Sequence, residues 1–495
     1  MKRNLSKSKL IAYRQCPKRL WLEVHKPELR EDSAAAQARF NTGYTVGDVA
    51  QHVYDPKSKG VVINAQEEGY PSALARSLSL LEASQPLFEA GYAASGAIAF
   101  ADVMLPATKS GKRVWHMVEI KSATSLKDYH RDDAAVQAFV ARKAGVPLAS
   151  IAVAHIDSDW VYPGADNYCG LFHEVDLTQE TLAREAEVSA WIAEAQKVVG
   201  EKTCPEMATG SHCIKPFECG FFGHCAGDEP ETDYPVTWLP KVLKKDLKEF
   251  LAQPEIIDMR QVPDALLNEK QLRVKQHTVA NTCYFDKKGS KNALSGYSLP
   301  VYFLDFETAQ FAVPIWKGTR PYQQIAFQFS LHRLSRSGKV DHEEFLDLSG
   351  NDPSKPLAEA LIAACGKQGP VFAYNAGFEK SRISELAERF PRFSVALLAI
   401  RDRVVDLLPI AEAHFYHPSQ QGSWSIKSLL PAMTDKDYDA LDGVKNGGMA
   451  MEAFMEAIAP ETTHARKEEI RQELLAYCKL DTDALVDIWG MFTDQ

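Results

Sequence analysis

Strand and helix patterns alternate along this chain, and the alternation predicts an α/β protein. Three observations carry that prediction. Short apolar runs with strand character recur at 97–105, 114–121 and 150–156, and again at 302–307, 324–332 and 370–374. Stretches with helical spacing lie around them at 72–90, 132–144, 178–199, 355–366, 377–389 and 466–493. The 495 residues are long enough for about three domains at ~150 residues each.

Composition narrows the class of protein. Apolar residues make up 45% and charged residues 25%, which excludes a mostly disordered or collagen-like chain. No stretch approaches the ~18 uncharged apolar residues of a membrane span, so no membrane partner is expected. The N-terminus, MKRNLSKSKLIAYRQC, is basic but has no continuous apolar region, so no signal peptide is expected and the location is read as cytoplasmic. A net charge of −10 argues only weakly against nucleic acid. The first 30 residues are locally basic, with Lys2, Arg3, Lys7, Lys9, Arg14, Lys18, Arg19, Lys26 and Arg30 opposed only by Glu23 and Glu28.

The domain organisation expected is 1–232, a helical linker at 233–299, and 300–495. Residues 1–30 carry an amphipathic helix pattern around Cys16-Pro17. Residues 201–232 are rich in Cys, Gly and Pro and predict a loop held by something other than a core. VLKKDLKEFLAQ is the clearest helix of the linker, read as a spacer or as a contact to a DNA backbone. KKGSKNALSG at 287–296 predicts a turn before the strand YFLDFET.

Two carboxylate constellations stand out. Asp102 lies on the strand pattern AIAFADVML, and VEIKSAT follows with Glu119 and Lys121. Alternation puts Glu119 and Lys121 on one face, where a neighbouring acidic residue can join them. Two carboxylates suit a hard divalent ion such as Mg²⁺ or Mn²⁺, and an adjacent lysine can orient or deprotonate water and offset phosphate charge. A plain surface Glu–Lys pair is the alternative reading of the same residues.

The arrangement resembles the PD-(D/E)xK nuclease superfamily, which implies a restriction-endonuclease-like fold. KDYHRDDAAVQAFVARKAG resembles the RecB-type helix, whose glutamine is here Gln137, with Tyr129 in the approach segment. The resemblance implies metal ligands Asp102 and Glu119 and catalytic Lys121 and Gln137. RecB-like members often carry a histidine after a glycine on an upstream helix. The matching helix is NTGYTVGDVAQHVY, where Gly47 takes the histidine's place and Asp48 or His52 remains as a substitute.

Nine cysteines in a reducing compartment should stay unpaired, and four of them fall within 22 residues, at Cys204, Cys213, Cys219 and Cys225. One early cysteine, Cys16, and then Cys213, Cys219 and Cys225 resemble the layout of iron–sulfur RecB-like nucleases, the CRISPR-adaptation exonucleases among them. That resemblance implies a [4Fe–4S] cluster held by these four thiolates and stapling the two ends of the domain. Cys204 stays open as a ligand, and a Cys₄ zinc site is the chemical alternative. Cys169, Cys283, Cys365 and Cys478 read as inert core residues.

In the second half, YFLDFET places Asp305 and Glu307 on one strand face. VFAYNAGFEKSRI presents Asn375, Phe378 and Glu379, and AYCKLDTDAL sets Tyr477 and Asp481 at i and i+4 of a helix. Acidic groups from three segments can converge on two metal ions, with Tyr477 placed to hold water. These residues resemble the DnaQ-like 3′→5′ exonucleases of the RNase H fold, with Glu379 where the family usually has aspartate. The resemblance implies metal binding by Asp305, Glu307, Glu379 and Asp481. Asp406, His414, His417 and His464 read as structural or surface residues.

The whole chain resembles a bacterial fusion of these two modules. That implies a Mg²⁺- or Mn²⁺-dependent nuclease with two sites acting on DNA ends or single strands, with up to two ions in the C-terminal site and one or two in the N-terminal one. RNA trimming is one alternative. A nucleic-acid-binding scaffold with impaired sites is the other.

Overall fold

A computed structural model describes residues 4–227, 231–253 and 255–494; Lys2 and Arg3 of the basic N-terminus lie outside them. The protein is mixed α/β, and the chain divides into two compact units. Unit 1 is Met1–Glu229 with Phe311–Gln323, and unit 2 is Pro230–Gln310 with Gln324–Gln495. Among the described residues no helix is long and apolar enough to cross a membrane.

Unit 1 is built on one sheet. Its main strands are β1 (Leu87–Ala94), β2 (Ala97–Lys109), β3 (Lys112–Lys121), β4 (Leu148–Ile156) and β5 (Phe172–Asp176), adjacent in that order. The pairs are antiparallel except β3 with β4, and two short strands, Leu5–Ser6 and Val61–Val62, pair parallel with β2 and β1. The helices that matter to the site are α1 (Lys7–Gln15), α2 (Pro17–His25), α3 (Ala34–Tyr54), α4 (Asp128–Lys143) and α5 (Glu185–Gly200). Ser6 caps α1 through the Lys9 amide, and Pro17 opens α2 where a missing N–H costs nothing. Helix α4 is buried along most of its length because Ala134, Ala135, Ala138 and Ala141 let it lie close to the sheet core of Met104, Trp115 and Met117. Phe311–Gln323 belongs to this unit through Ala312 and Val313, which pack with Val46, Ile156 and Leu171.

One sequence expectation fails here. Residues 72–90 do not form a single helix; a helix ends at Ser79 and β1 begins at Leu87. The Ala/Gly-rich run LFEAGYAA resembles a helix in composition, but Pro86 breaks the pattern and Gly91 is needed in a strand. A Cβ at Gly91 would sit 2.5 Å from the Phe100 ring on β2.

Unit 2 has a five-stranded sheet of β6 (Val301–Ala309), β7 (Ile325–Leu334), β8 (Val340–Leu346), β9 (Val371–Ala373) and β10 (Val404–Asp406). The spatial order is β8-β7-β6-β9-β10, antiparallel from β8 to β6 and parallel from β6 to β10. Helices α6 (Gly377–Arg389), α7 (Ile426–Met433), α8 (Gly447–Ile458) and α9 (His464–Thr493) complete the parts used below. Alternation along β6 divides its residues between two cores. Tyr302, Leu304 and Phe306 pack on one face with Phe329 and Leu331, while Val301 and Phe303 pack on the other with Leu485, Ile488 and Trp489 of α9.

The segment expected as a linker, 233–299, is instead part of the unit 2 core. Leu247, Met259, Val262, Val274 and Leu294 are buried in the same cluster as Val301 and Phe303. The turn expected at 287–296 is a helix, Lys287–Leu294, capped by Asp286 through the Gly289 amide at 2.9 Å. Its glycine and serines disfavour a helix locally; burial of Leu294 and Ser290 overrides that propensity.

Candidate functional site

In unit 1, Asp102, Glu119 and Lys121 line one cleft of about 530 Å³. Asp102 accepts the Ile120 amide at 2.6 Å, which pins its strand to the one carrying Glu119. Glu119 is buried at 1% exposure, and its Oε1 receives the ammonium groups of Lys121 at 2.8 Å and Lys7 at 2.5 Å. Its Oε2 is buried without a partner. Lys121 also donates to Asp133 at 2.5 Å.

These charges set the protonation states. Burial alone would raise Glu119, but Lys121 and Lys7 outweigh it and hold the carboxyl down at about 2. Burial would lower Lys121, but Asp133 and Glu119 outweigh it and hold the ammonium well above its ordinary range. Asp102 is pushed up by burial and by the Glu119 charge.

Two cleft residues were not legible in the sequence. Lys7 comes from α1, 112 residues before Glu119. Glu89 lies in the segment read as helix; the register of Phe88 with Val103 and Ala90 with Ala101 sets it opposite Asp102, at a left-handed φ of 55°. Like charges opposed across two strands repel, and a cation between them relieves the cost.

The other expected residues of this unit take different places. Gln137 is buried and does not line the cleft; its amide nitrogen donates 2.5 Å to Phe100 O, two residues before Asp102, so it positions the strand. Tyr129 packs edge-on against Phe217 at 4.7 Å. Gly47 and Asp48 line the cleft, whereas His52 bonds the Asp48 carbonyl of its own helix at 2.8 Å. Of the two substitutes, only Asp48 faces the carboxylates.

Cys16, Cys213, Cys219 and Cys225 line a single hollow with Leu22, Met207 and Phe221. Gln15, at the end of α1, donates to His212 O at 2.6 Å and Phe217 O at 2.8 Å, tying the N-terminus to the cysteine loop. Burial pushes the Cys16, Cys219 and Cys225 thiols up, so they stay protonated unless a cation joins them. Cys204 is not part of the lining and packs nearby with Trp21 and Val198. Cys365 is buried, but Cys169 and Cys283 are exposed rather than core residues, their segments having fewer covering neighbours than their apolar composition suggested.

In unit 2, Asp305, Glu307, Glu379, Tyr477 and Asp481 line a second cleft of about 500 Å³. Asp305 and Glu307 continue the β6 face that packs on α9, so the helix brings Tyr477 and Asp481 to the same side. A polar lock fixes its register: Thr482, fully buried, bonds Ser330 at 2.6 Å and His332 at 2.8 Å, and Ser330 stands opposite Asp305. Asn375, at a left-handed φ of 61°, turns the chain from β9 into α6, and its amide bonds Asp406 at 2.9 Å. Asp406 thereby acts on the backbone, and Glu379 is carried into the cleft with its Oε2 buried and unpartnered.

Three further groups complete this site. Tyr438 donates to Asp481 at 2.5 Å. Lys427 lies 5.3 Å from the Tyr438 ring and 5.4 Å from the Tyr477 ring. Cys478, read as inert, places its sulfur 3.8 Å from Asp305 Oδ2, and atoms of Asp305, Glu307 and Cys478 fall within 4.8 Å of one another. Burial and the Asp305 charge push that thiol up, leaving it a weak donor. Burial raises Glu379 to about 8 and Asp481 to about 6, and burial together with the Asp481 charge raises Asp305 and Glu307 well above the carboxylate range. His414 pairs with Asp286 at 3.1 Å and His417 with Ser419 at 2.7 Å, away from the cleft.

Four crowded carboxyls, with Glu379 Oε2 buried and unpartnered, fit hard divalent cations. A family profile described as a domain of unknown function, DUF2779, matches residues 302–425, which include Asp305, Glu307 and Glu379 but stop before Tyr477 and Asp481; no curated protein matches the chain.

Proposed function

We propose that this chain is a metal-dependent nuclease with two sites, a PD-(D/E)xK-type site in unit 1 and a DnaQ-like, RNase H-type 3′→5′ exonuclease site in unit 2. The observation that carries the reading is the convergence of Asp305, Glu307, Glu379 and Asp481, from three separate segments, on one cleft beside Tyr477. The cleft of Asp102, Glu119 and Lys121 supports the first site in the same way.

Mg²⁺ or Mn²⁺ held by these carboxylates would lower the pKa of water and stabilise the leaving oxygen of a phosphodiester. The chain's own residues do the positioning. Tyr477 and Tyr438 flank Asp481, Lys427 supplies positive charge near the phosphate's path, and Lys121 remains an ammonium that offsets charge in the first site. The direct test is release of nucleotides from labelled single-stranded DNA and RNA with and without Mn²⁺. The wild-type chain degrades one or both; the double variant Lys121→Ala/Asp305→Ala degrades neither. Activity surviving in the double variant overturns the reading, and preference between the two substrates separates DNA from RNA processing.

The same proposal places a [4Fe–4S] cluster on Cys16, Cys213, Cys219 and Cys225, supported by their shared hollow and by three of the thiols being at most 8% exposed. Anaerobically purified protein is then expected to be brown, to contain iron, and to bleach in Cys219→Ala. Closing a loop of ~200 residues contributes several kcal/mol in the chain-entropy model, so Cys219→Ala also lowers the melting temperature of unit 1 more than that of unit 2. Colourless protein holding one zinc per chain assigns the site to zinc instead.

A further inference from the structure

We propose that the exposed face of α3 is a base-stacking platform that selects an unpaired nucleotide strand for the unit 1 cleft. The proposal rests on the nuclease reading of that cleft and names its substrate class.

Phe40 and Tyr44 stand one helical turn apart, 47% and 70% exposed, and both line the cleft that holds Asp102 and Glu119. Large aromatics exposed together on the rim of a polar cleft mark a binding surface more often than an accident of folding. Their helix is anchored by Ala36, Val46 and Ala50, which are buried. Gly43 and Gly47 fall on the same face as the two rings, and a Cβ at either would meet nothing within 4 Å, so the space beside the rings is open. Arg39, exposed at the same rim, and Lys7 supply positive charge for a phosphate backbone.

The chemistry of this rim favours unpaired bases. Every base offers a flat face to an aromatic ring, but in a duplex those faces are already stacked. The rings stand at a cleft of about 530 Å³, which has room for a nucleotide beside them. Stacking reads the base and not the sugar, so DNA and RNA strands share the chemistry.

The test uses the full chain carrying Asp305→Ala, so that only the unit 1 site cleaves. Binding of labelled oligothymidylate, oligouridylate and a blunt duplex of equal length is measured in Ca²⁺, and cleavage in Mn²⁺. Phe40→Ala/Tyr44→Ala is expected to weaken single-strand binding by about tenfold to a hundredfold, to leave duplex binding unchanged, and to raise KM with little change in kcat. Tyr44→Trp restores the affinity lost in Tyr44→Ala. Both residues are exposed, so the variants fold. Equal weakening of strand and duplex, or no weakening, overturns the platform. If the variants weaken strand binding while Lys121→Ala leaves cleavage intact, the platform stands and the nuclease assignment of unit 1 falls.

Discussion

Asp305→Ala and Asp481→Ala are each expected to lower 3′-end nucleotide release by about 10³-fold or more, equivalent to ~4 kcal/mol of transition-state stabilisation. The measurement is single-turnover release from a 3′-labelled strand by the full chain carrying Lys121→Ala, so that only unit 2 contributes. The full chain is required because a fragment of 300–495 lacks Leu247, Met259, Val274 and Leu294, which bury the base of the sheet. The size of the effect follows from the geometry. Four carboxyls share one buried cleft, the Asp481 charge weighs on Asp305 and Glu307, and divalent cations offset several of these charges at once. Losing one ligand therefore misplaces the cation against the phosphate as well as weakening it. Tyr477→Phe keeps all four carboxyls and costs about tenfold, the value of one hydrogen bond to a charged group. Glu379→Asp retains activity and Glu379→Gln loses most of it, because the buried, unpartnered Oε2 is the atom that must carry charge.

The pH dependence has a definite sign. Glu379 at about 8 and Asp481 at about 6 lie above their unfolded values, so the metal-free native state binds more protons than the unfolded chain between the ordinary carboxylate range and pH 8. The stability these groups contribute without metal is therefore present at low pH and is lost as pH rises through 6 and 8. Cations must displace the same protons, so the Mn²⁺ concentration for half-maximal rate falls across that window. A half-maximal concentration that rises with pH contradicts the assignment of these two groups as ligands.

The local parts of both clefts were legible because they depend on short-range periodicity. Period two sets Asp305 beside Glu307 and Glu119 beside Lys121, and the helical turn sets Tyr477 above Asp481. Lys7, Glu89, Lys427 and Tyr438 were not legible, since each reaches its site through tertiary packing. Lys7 needs α1 laid beside a strand 112 residues away, and Tyr438 meets Asp481 across 43 residues. Glu89 was hidden by composition, because an Ala/Gly-rich strand scores as helix until its partner strand is known. Gln137 comes from the resemblance to the RecB-type helix, and tertiary packing adds that its amide holds the Phe100 carbonyl and so the strand of Asp102.

Lys121→Met is expected to lower turnover at the unit 1 site by about 10²- to 10³-fold while leaving Mn²⁺ affinity within a fewfold of the parent, the comparison being made in the Asp305→Ala background. The separation between rate and affinity follows from what remains in the variant. Glu119 keeps the Lys7 ammonium at 2.5 Å, which still offsets the cost of its burial, so its carboxyl stays ionised and its free Oε2 still faces the cleft. What disappears is the one cation fixed between Glu119 and Asp133, where it can meet charge that grows on a phosphate only in the transition state. Lys121→Arg restores part of the rate, since the charge is kept but a planar fork replaces a compact ammonium. A loss of Mn²⁺ binding equal to the loss of rate in Lys121→Met would instead make the lysine a support for Glu119, and Lys7→Met, which removes the other donor to the same oxygen, would then have the same effect.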